Sequence, residues 1–125
     1  MDLSQPLPDK GVSVPIYITT AGIKGVPVLS FGKNGYSPRL RLFDDHIEFK
    51  LIRAHCSTYQ QIEFVDTVSW NSSRHLEFAW NDSRFTFKAM VIREDWLIQV
   101  LHFLHRKNVN LTPKAQSVMN KETSK

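Results

Sequence analysis

The sequence is short of cysteine, of long apolar runs and of dense charge. A single cysteine, Cys56, among 125 residues excludes an intrachain disulfide and fits a reducing compartment. No apolar stretch reaches the ~20 residues that a membrane-spanning helix needs. Residues 1–8 contain neither a basic segment nor an apolar core, so they do not resemble a secretory signal. We therefore expect a cytoplasmic protein.

What the sequence does contain is typical of one globular domain. Of the 125 residues, 42% are hydrophobic and 22% are charged, which is too apolar for a disordered chain. Phe occurs 8 times, and aromatic and β-branched residues favour strands. A domain of this size buries roughly two-thirds of its unfolded surface, so it can build a core without disulfides. The net charge of +4 permits anionic partners but does not require them.

Residues 39–51 have the clearest strand pattern. Two stretches, 39–43 and 46–51, alternate polar and apolar residues around the turn residues Asp44 and Asp45. This pattern predicts a β-hairpin. The apolar positions that we expect to face the core are Leu40, Leu42, Ile47, Phe49 and Leu51.

Strands are also predicted on both sides of this hairpin. Residues 14–19 and 26–31 flank a glycine-containing turn. Residues 60–70 form a longer strand, in which the broken alternation at Phe64-Val65 predicts a bulge or a bend. Residues 54–59 are expected to be a loop.

A second hairpin is rich in aromatic residues. Residues 75–80 and 84–89 alternate around a polar turn at 81–83. The side chains that we expect to meet inside the domain are Leu76, Phe78, Trp80, Phe85, Phe87 and Ala89.

The last predicted element has a helical period. Its apolar stripe consists of Ile92, Trp96, Leu97, Val100, Leu101 and Leu104. Acidic residues at its start and basic residues at its end complement the helix dipole. We predict a helix from Asp95 to about Lys107, with Asn108 as a left-handed cap and Val109 as the apolar residue after it. Beyond Pro113 the chain is polar and is expected to fray.

These elements predict one domain, residues 14–110, with a flexible leader at 1–13 and a polar tail at 111–125. Hairpins followed by one terminal helix indicate a β barrel or sandwich with the helix plugging an open end. The sequence contains no internal repeat.

The patterns resemble those of pleckstrin-homology-like (PH-like) domains, in particular the compact bacterial kind related to GRAM domains. The resemblance covers residues 14–110 and rests on the hairpin 39–50, the stretch 59–68, the aromatic hairpin 75–89 and the helix that carries Trp96. It implies a β-rich α+β fold: a PH-like barrel of two near-orthogonal antiparallel sheets, about seven strands in all, capped by one C-terminal helix. It also implies a binding or assembly role, with no catalysis and no cofactor.

The strongest candidate for a binding site is Lys33 with Arg39 and Arg41. Their arrangement is similar to the phosphoinositide-binding signature of pleckstrin-homology domains, in which a lysine ends the first strand and a basic-x-Arg pair enters the next. Several cations that converge at a loop mouth can bind phosphates. The alternative is that both arginines are ordinary solvent-facing residues of an alternating strand.

Other polar residues favour structural roles. His102 and His105 share one side of the predicted helix, but two ligands do not make a metal site. His55 and Cys56 are adjacent on an extended chain and therefore point apart, so they do not form a base and a nucleophile. Aromatic residues beside basic ones can bind nucleic acid by stacking, but their alternation favours core packing here.

The sequence therefore favours a non-enzymatic module that binds a protein partner or self-associates, because exposed sheet edges can accept an added strand. The first alternative is a peripheral membrane module that binds anionic head groups through Lys33, Arg39 and Arg41. A small-ligand or nucleic-acid binder is a weaker alternative. An enzyme is the least favoured reading, since no catalytic constellation is present.

Overall fold

The computed structural model describes residues 3, 6–23, 26–34, 39–50, 54–70 and 73–120, with the side chains of all of these except 18, 26–34, 54, 70 and 73. Within them, nine strands are followed by two helices. The strands are β1 (Val12–Ser13), β2 (Ile16–Ile23), β3 (Val26–Asn34), β4 (Arg39–Leu42), β5 (His46–Lys50), β6 (Ala54–Thr58), β7 (Ile62–Trp70), β8 (Ser73–Trp80) and β9 (Phe85–Val91). The helices are α1 (Glu94–Arg106) and α2 (Pro113–Asn120). A single 3-10 turn, Tyr59–Gln61, joins β6 to β7.

The strands form two antiparallel sheets. The four-stranded sheet has the order β1-β4-β5-β6, and the five-stranded sheet has the order β3-β2-β9-β8-β7. The prediction of a strand-rich fold with two antiparallel sheets is confirmed. The described part has nine strands where about seven were expected and two helices where one was expected, and its sheets are not closed into a barrel.

The hairpin predicted at residues 39–51 is confirmed. β4 pairs with β5 in a register that places Leu42 opposite Ile47 and Leu40 opposite Phe49. Leu40, Leu42 and Ile47 are buried, and Phe49 packs against the same core. Leu51 lies outside the described residues.

The loop predicted at residues 54–59 was wrong for most of its length. β6 pairs with β5 along its whole length, with His55 opposite Phe49 and Cys56 opposite Glu48. The sequence Ala-His-Cys-Ser-Thr has no apolar alternation, because His55 and Ser57, which pair with Phe49 and Ile47 on the core-facing side, are themselves polar. A strand without apolar residues on its core-facing side lacks the period-2 signal on which the prediction relies.

The bulge and the aromatic hairpin are also confirmed. The β7–β8 register shifts between Ile62 and Phe64, one residue from the predicted position. β8 and β9 pair as expected, and Phe78 and Phe87 are buried. Phe85 is the exception, since 49% of its surface is exposed. It is the first residue of β9 and pairs with Ile23 of β2.

Helix α1 follows the last strand, as predicted, and buries one face in the core. Asn108 adopts a left-handed conformation with φ 63°, and its N–H donates to the carbonyl of His105 at 3.0 Å. Val109 N–H donates to the carbonyl of Leu104 at 3.1 Å, which completes a Schellman cap. Ile92 precedes the helix and is 40% exposed, so its assignment to the buried stripe was wrong. The buried face is formed by Leu97, Ile98, Val100, Leu101, Phe103 and Leu104.

The tail predicted to fray contains helix α2, so the prediction of a single helix was wrong. Thr112 caps the helix, since its Oγ1 accepts from the N–H of Ala115 at 3.1 Å and donates to Asp66 Oδ1 at 2.6 Å. Pro113 occupies the first helical position, where the absent N–H costs nothing. The buried face of α2 consists of Ala115, Val118 and Met119. A threonine-proline pair is a helix-start signal that the sequence offered.

The described part of the predicted leader packs on the domain. Leu3 and Leu7 are buried in the core, and the N–H of Leu7 donates to the carboxylate of Asp44 at 3.0 Å. Gly11 has φ 74°, and a Cβ there would lie 2.8 Å from the carbonyl oxygen of Leu42. Only glycine fits such a close approach at positive φ. The segment therefore lies against β4 before it forms β1.

Candidate binding cleft

A cleft of about 530 Å³ is lined by residues of both sheets. Its apolar wall is formed by Phe49 of β5, Trp80 of β8, and Phe85 and Phe87 of β9. The rings of Phe49 and Trp80 stack at 4.7 Å with 23° between their planes, and Phe87 lies 4.9 Å from Phe49. Favourable aromatic pairs have this spacing, so the rings of the wall stabilise one another.

Ser57 fixes the position of Trp80. Trp80 Nε1 donates to Ser57 Oγ at 2.8 Å, and Ser57 Oγ donates to the carbonyl of Thr58 at 2.9 Å. Both polar groups are buried and both are satisfied, as buried groups must be. The indole therefore presents its apolar surface to the cleft while its N–H is already used.

The opposite side of the cleft is the edge of β6. Three consecutive residues, His55, Cys56 and Ser57, line it. Successive side chains of a strand point to opposite faces, so a cavity that touches all three runs along the edge of the strand. His55 and Ser57 face the core side, where His55 stacks on Phe49 at 5.4 Å. Cys56 is exposed on the opposite face.

The hydrogen bonds of β6 show which backbone groups point off this edge. Thr58 N–H donates to the side chain of Gln61 at 3.0 Å, so it takes no part in the ladder with β5. In an antiparallel pair, hydrogen-bonded and non-hydrogen-bonded residues alternate. Cys56 therefore has the same orientation as Thr58, and its N–H and C=O point away from β5. Within the described residues, β6 pairs with β5 alone.

The edge of β7, unlike the edge of β6, is covered by another part of the chain. Leu111 forms a parallel bridge with Val65, whose N–H donates to the carbonyl of Asn110 at 2.9 Å and whose carbonyl accepts from Thr112 N–H at 3.1 Å. The chain before α2 thus covers this edge, which is a common protection against added strands. β1 pairs with two residues of β4, Arg41 and Leu42, at the far edge of the four-stranded sheet.

The charge of the cleft comes from Asp82, in the turn between β8 and β9. It is the only Asp, Glu, Lys or Arg residue of the described lining. No Lys or Arg is among these lining residues. The mouth is therefore weakly acidic, whereas the chain as a whole is basic.

The basic residues predicted from the sequence lie elsewhere. Arg39 and Arg41 are on β4, on the face of the four-stranded sheet away from the core. Arg39 Nη1 lies 3.3 Å from Glu48 Oε1, and Arg41 Nε donates to Ser13 Oγ at 3.5 Å. Lys33 belongs to β3 of the other sheet, whereas the phosphoinositide signature has its lysine at the end of the first strand; its side chain is outside the described residues. The head-group site stays a prediction.

The remaining candidates from the sequence are the histidines and Cys56. No group of three or more His, Cys, Asp or Glu side chains there could hold a metal ion. His102 is half-buried and His105 is exposed on α1. His55 and Cys56 lie on opposite faces of β6, as predicted from their adjacency.

A polar cluster lies on the face of the five-stranded sheet opposite to Phe78 and Phe87. Its members are His75, Glu77, Thr86 and Lys88. Glu77 Oε2 accepts from Thr86 Oγ1 at 3.0 Å and lies 3.9 Å from Lys88 Nζ. Burial, followed by the positive charge of Lys88, lowers the pKa of His75 on the same face. The buried charge of Lys88 is thus paired with Glu77, which favours a structural role for this cluster.

Sequence reasoning found the aromatic residues of the cleft but assigned them all to the core. Phe87 and Trp80 are buried as predicted, while Phe85 stays open at the mouth. The sequence predicted a loop where β6 lies, and without this strand the cleft has no second side. The sequence feature that could have indicated β6 is the polar run from His55 to Thr58, which lies between two predicted strands.

Neither a scan against protein-family models nor a search of curated proteins finds a match to this chain. Among the described residues, neither helix is long and apolar enough to cross a membrane.

Proposed function

We propose that this chain is a non-enzymatic protein-interaction module of PH-like fold, and that it binds an extended segment of a partner protein along β6. The observation that carries the proposal is the orientation of Cys56, whose backbone N–H and C=O point off a sheet edge directly beside an aromatic cleft. The strand pattern, the two antiparallel sheets and the helix after the last strand support the PH-like assignment.

An added strand on β6 has two sources of affinity. Its backbone hydrogen-bonds to Cys56, and its alternate side chains enter the cleft beside His55 and Ser57. Burying one large apolar side chain stabilises the complex by about 1.5–3 kcal/mol. Because Phe49, Trp80 and Phe87 are already packed against each other, the cleft needs little rearrangement to accept it.

A proline at position 56 tests the edge directly. Cys56→Pro removes the N–H that points off the edge, and proline is tolerated at such positions because no ladder bond to β5 is lost. We expect the variant to fold and to bind a blocked seven-residue peptide, Thr-Lys-Thr-Trp-Thr-Lys-Thr, at least about tenfold more weakly in Kd measured by calorimetry, since the hydrogen bond from the residue-56 N–H is lost and the proline ring occupies the edge.

Two variants control this experiment. Cys56→Val keeps the N–H and is expected to bind as the parent does. Ser57→Pro removes an N–H that bonds to β5 and is expected to lower stability instead. Unchanged peptide affinity in a folded Cys56→Pro protein would overturn the proposal. Concentration-dependent dimerisation that Cys56→Pro abolishes would assign the edge to a second copy of the chain in place of a partner.

The outer face of the four-stranded sheet supports a second candidate function, binding of anionic lipid head groups. Arg39, Arg41 and Lys50 share this face, and Glu48 is the one acid opposite them in the β4–β5 register. Three cations against one carboxylate leave a net positive surface that can attract an anionic membrane.

Vesicle sedimentation tests this second candidate. If head groups are bound, the protein sediments with vesicles that contain phosphatidylserine and stays in solution with phosphatidylcholine alone, and salt weakens the binding. Arg39→Ala with Arg41→Ala should then abolish sedimentation, whereas Lys114→Ala, an exposed lysine on α2, should not. Equal sedimentation with both kinds of vesicle would exclude the lipid function.

A further inference from the structure

We propose that the cleft selects partner segments by one large apolar side chain, preferably aromatic, with a basic residue two positions away. This inference rests on the proposed function, since it takes the bound segment to be a strand on β6. In that strand, the side chains at positions i and i+2 point to the same face, about 7 Å apart. A bound segment can therefore place one side chain in the cleft, which we call the anchor. The side chain two positions away, which we call the neighbour, lies beside it on the same face.

The anchor is set by the size and the lining of the cleft. Its volume of about 530 Å³ falls within the range of roughly 300–1,000 Å³ found for pockets that enclose a drug-sized group. Its wall is aromatic, and half of the Phe85 surface is exposed at the mouth. A large apolar side chain covers that surface and packs on Trp80, whereas an alanine leaves most of the cleft open to water.

The neighbour is set by charge. Asp82 supplies a carboxylate at the mouth, and no lysine or arginine in the described lining opposes it. Trp80 and Asp82 are two residues apart, so the aromatic wall and the carboxylate lie close together along the same turn. A lysine or arginine of the segment is attracted to Asp82, and a glutamate at the same place is repelled. Because Asp82 is exposed, this preference is smaller than that for the anchor.

Calorimetry with three peptides tests both parts. The parent probe is blocked Thr-Lys-Thr-Trp-Thr-Lys-Thr, in which the lysines flank the tryptophan symmetrically, so that the strand direction does not matter. Replacing its tryptophan with alanine is expected to weaken binding at least about tenfold. Replacing both lysines with glutamate is expected to weaken it about two- to fivefold at low salt.

A matched protein variant isolates the role of Asp82. Asp82→Asn keeps the turn chemistry but removes the charge, and it should bind the lysine and glutamate peptides equally well. If all three peptides bind the parent protein with the same Kd and Cys56→Pro abolishes that binding, the edge function stands and the selectivity is wrong. If none of the peptides binds, both are overturned. A preference for the lysine peptide over the glutamate peptide that survives in Asp82→Asn would also contradict the selectivity.

Discussion

Replacing Phe103 with alanine is expected to lower the free energy of unfolding by about 3–5 kcal/mol. Phe103 lies on α1 with none of its surface exposed, and its ring contacts Tyr59 edge-on at 5.8 Å. Lys107 Nζ lies 5.5 Å above the same ring. Truncation thus leaves a cavity where α1 packs on the core, and it also removes an aromatic pair and a cation–π contact.

Chemical denaturation followed by tryptophan fluorescence measures this effect. His105→Ala, an exposed position two residues along the same helix, is the matched control and should cost about 1 kcal/mol or less. Phe103→Leu, which fills most of the volume, should fall between the two. If Phe103→Ala lowers the free energy of unfolding by less than about 1 kcal/mol, the ring of Phe103 is not packed in the core.

Replacing Ala115 with aspartate is expected to detach α2 from the domain. Ala115 is completely buried where α2 packs on β7, so a carboxylate there has neither space nor a partner. An unpaired buried charge costs several kcal/mol, more than a helix of 8 residues recovers by docking. We therefore expect local unfolding of α2 and loss of the bridge between Leu111 and Val65.

Hydrogen exchange of the Val65 amide reports this event, since it donates to Asn110 in the docked state. Its protection should fall at least about tenfold in Ala115→Asp. Ser117→Asp adds the same charge at an exposed position of the same helix and should leave the protection unchanged. Equal protection in both variants would mean that the docking of α2 does not hold residues 110–112 against the edge of β7.

The two hairpins could be predicted from the sequence because each one buries a single face. In β4 and β5 the alternation of Leu40, Leu42, Ile47 and Phe49 around an Asp-Asp turn fixes both the strands and their register. The cap of α1 could be predicted for a similar reason, since Asn108 and Val109 are local signals that need no tertiary context.

The remainder depends on contacts between residues far apart in the chain. β6 carries polar residues, His55 and Ser57, on its core-facing side and becomes a strand because β5 provides a ladder. Leu3 and Leu7 look isolated among prolines, but they fill the core near Asp44, to which Leu7 is hydrogen-bonded. Phe85 has the alternation of a core residue, but as the first residue of β9 it stays half-exposed. The cleft was beyond sequence reasoning because it requires the relative position of both sheets.

The amide of Cys56 gives the most direct test of the proposed binding edge. Its N–H points away from β5, so it should exchange with solvent faster than the amides of His55 and Ser57, which the alternation of the ladder directs to β5. Saturation with the blocked peptide Thr-Lys-Thr-Trp-Thr-Lys-Thr should slow exchange at Cys56 by at least about tenfold and leave its two neighbours nearly unchanged. A Cys56 amide that exchanges as slowly as its neighbours in the unbound protein, or one that the peptide does not protect, would contradict the binding of a strand at this edge.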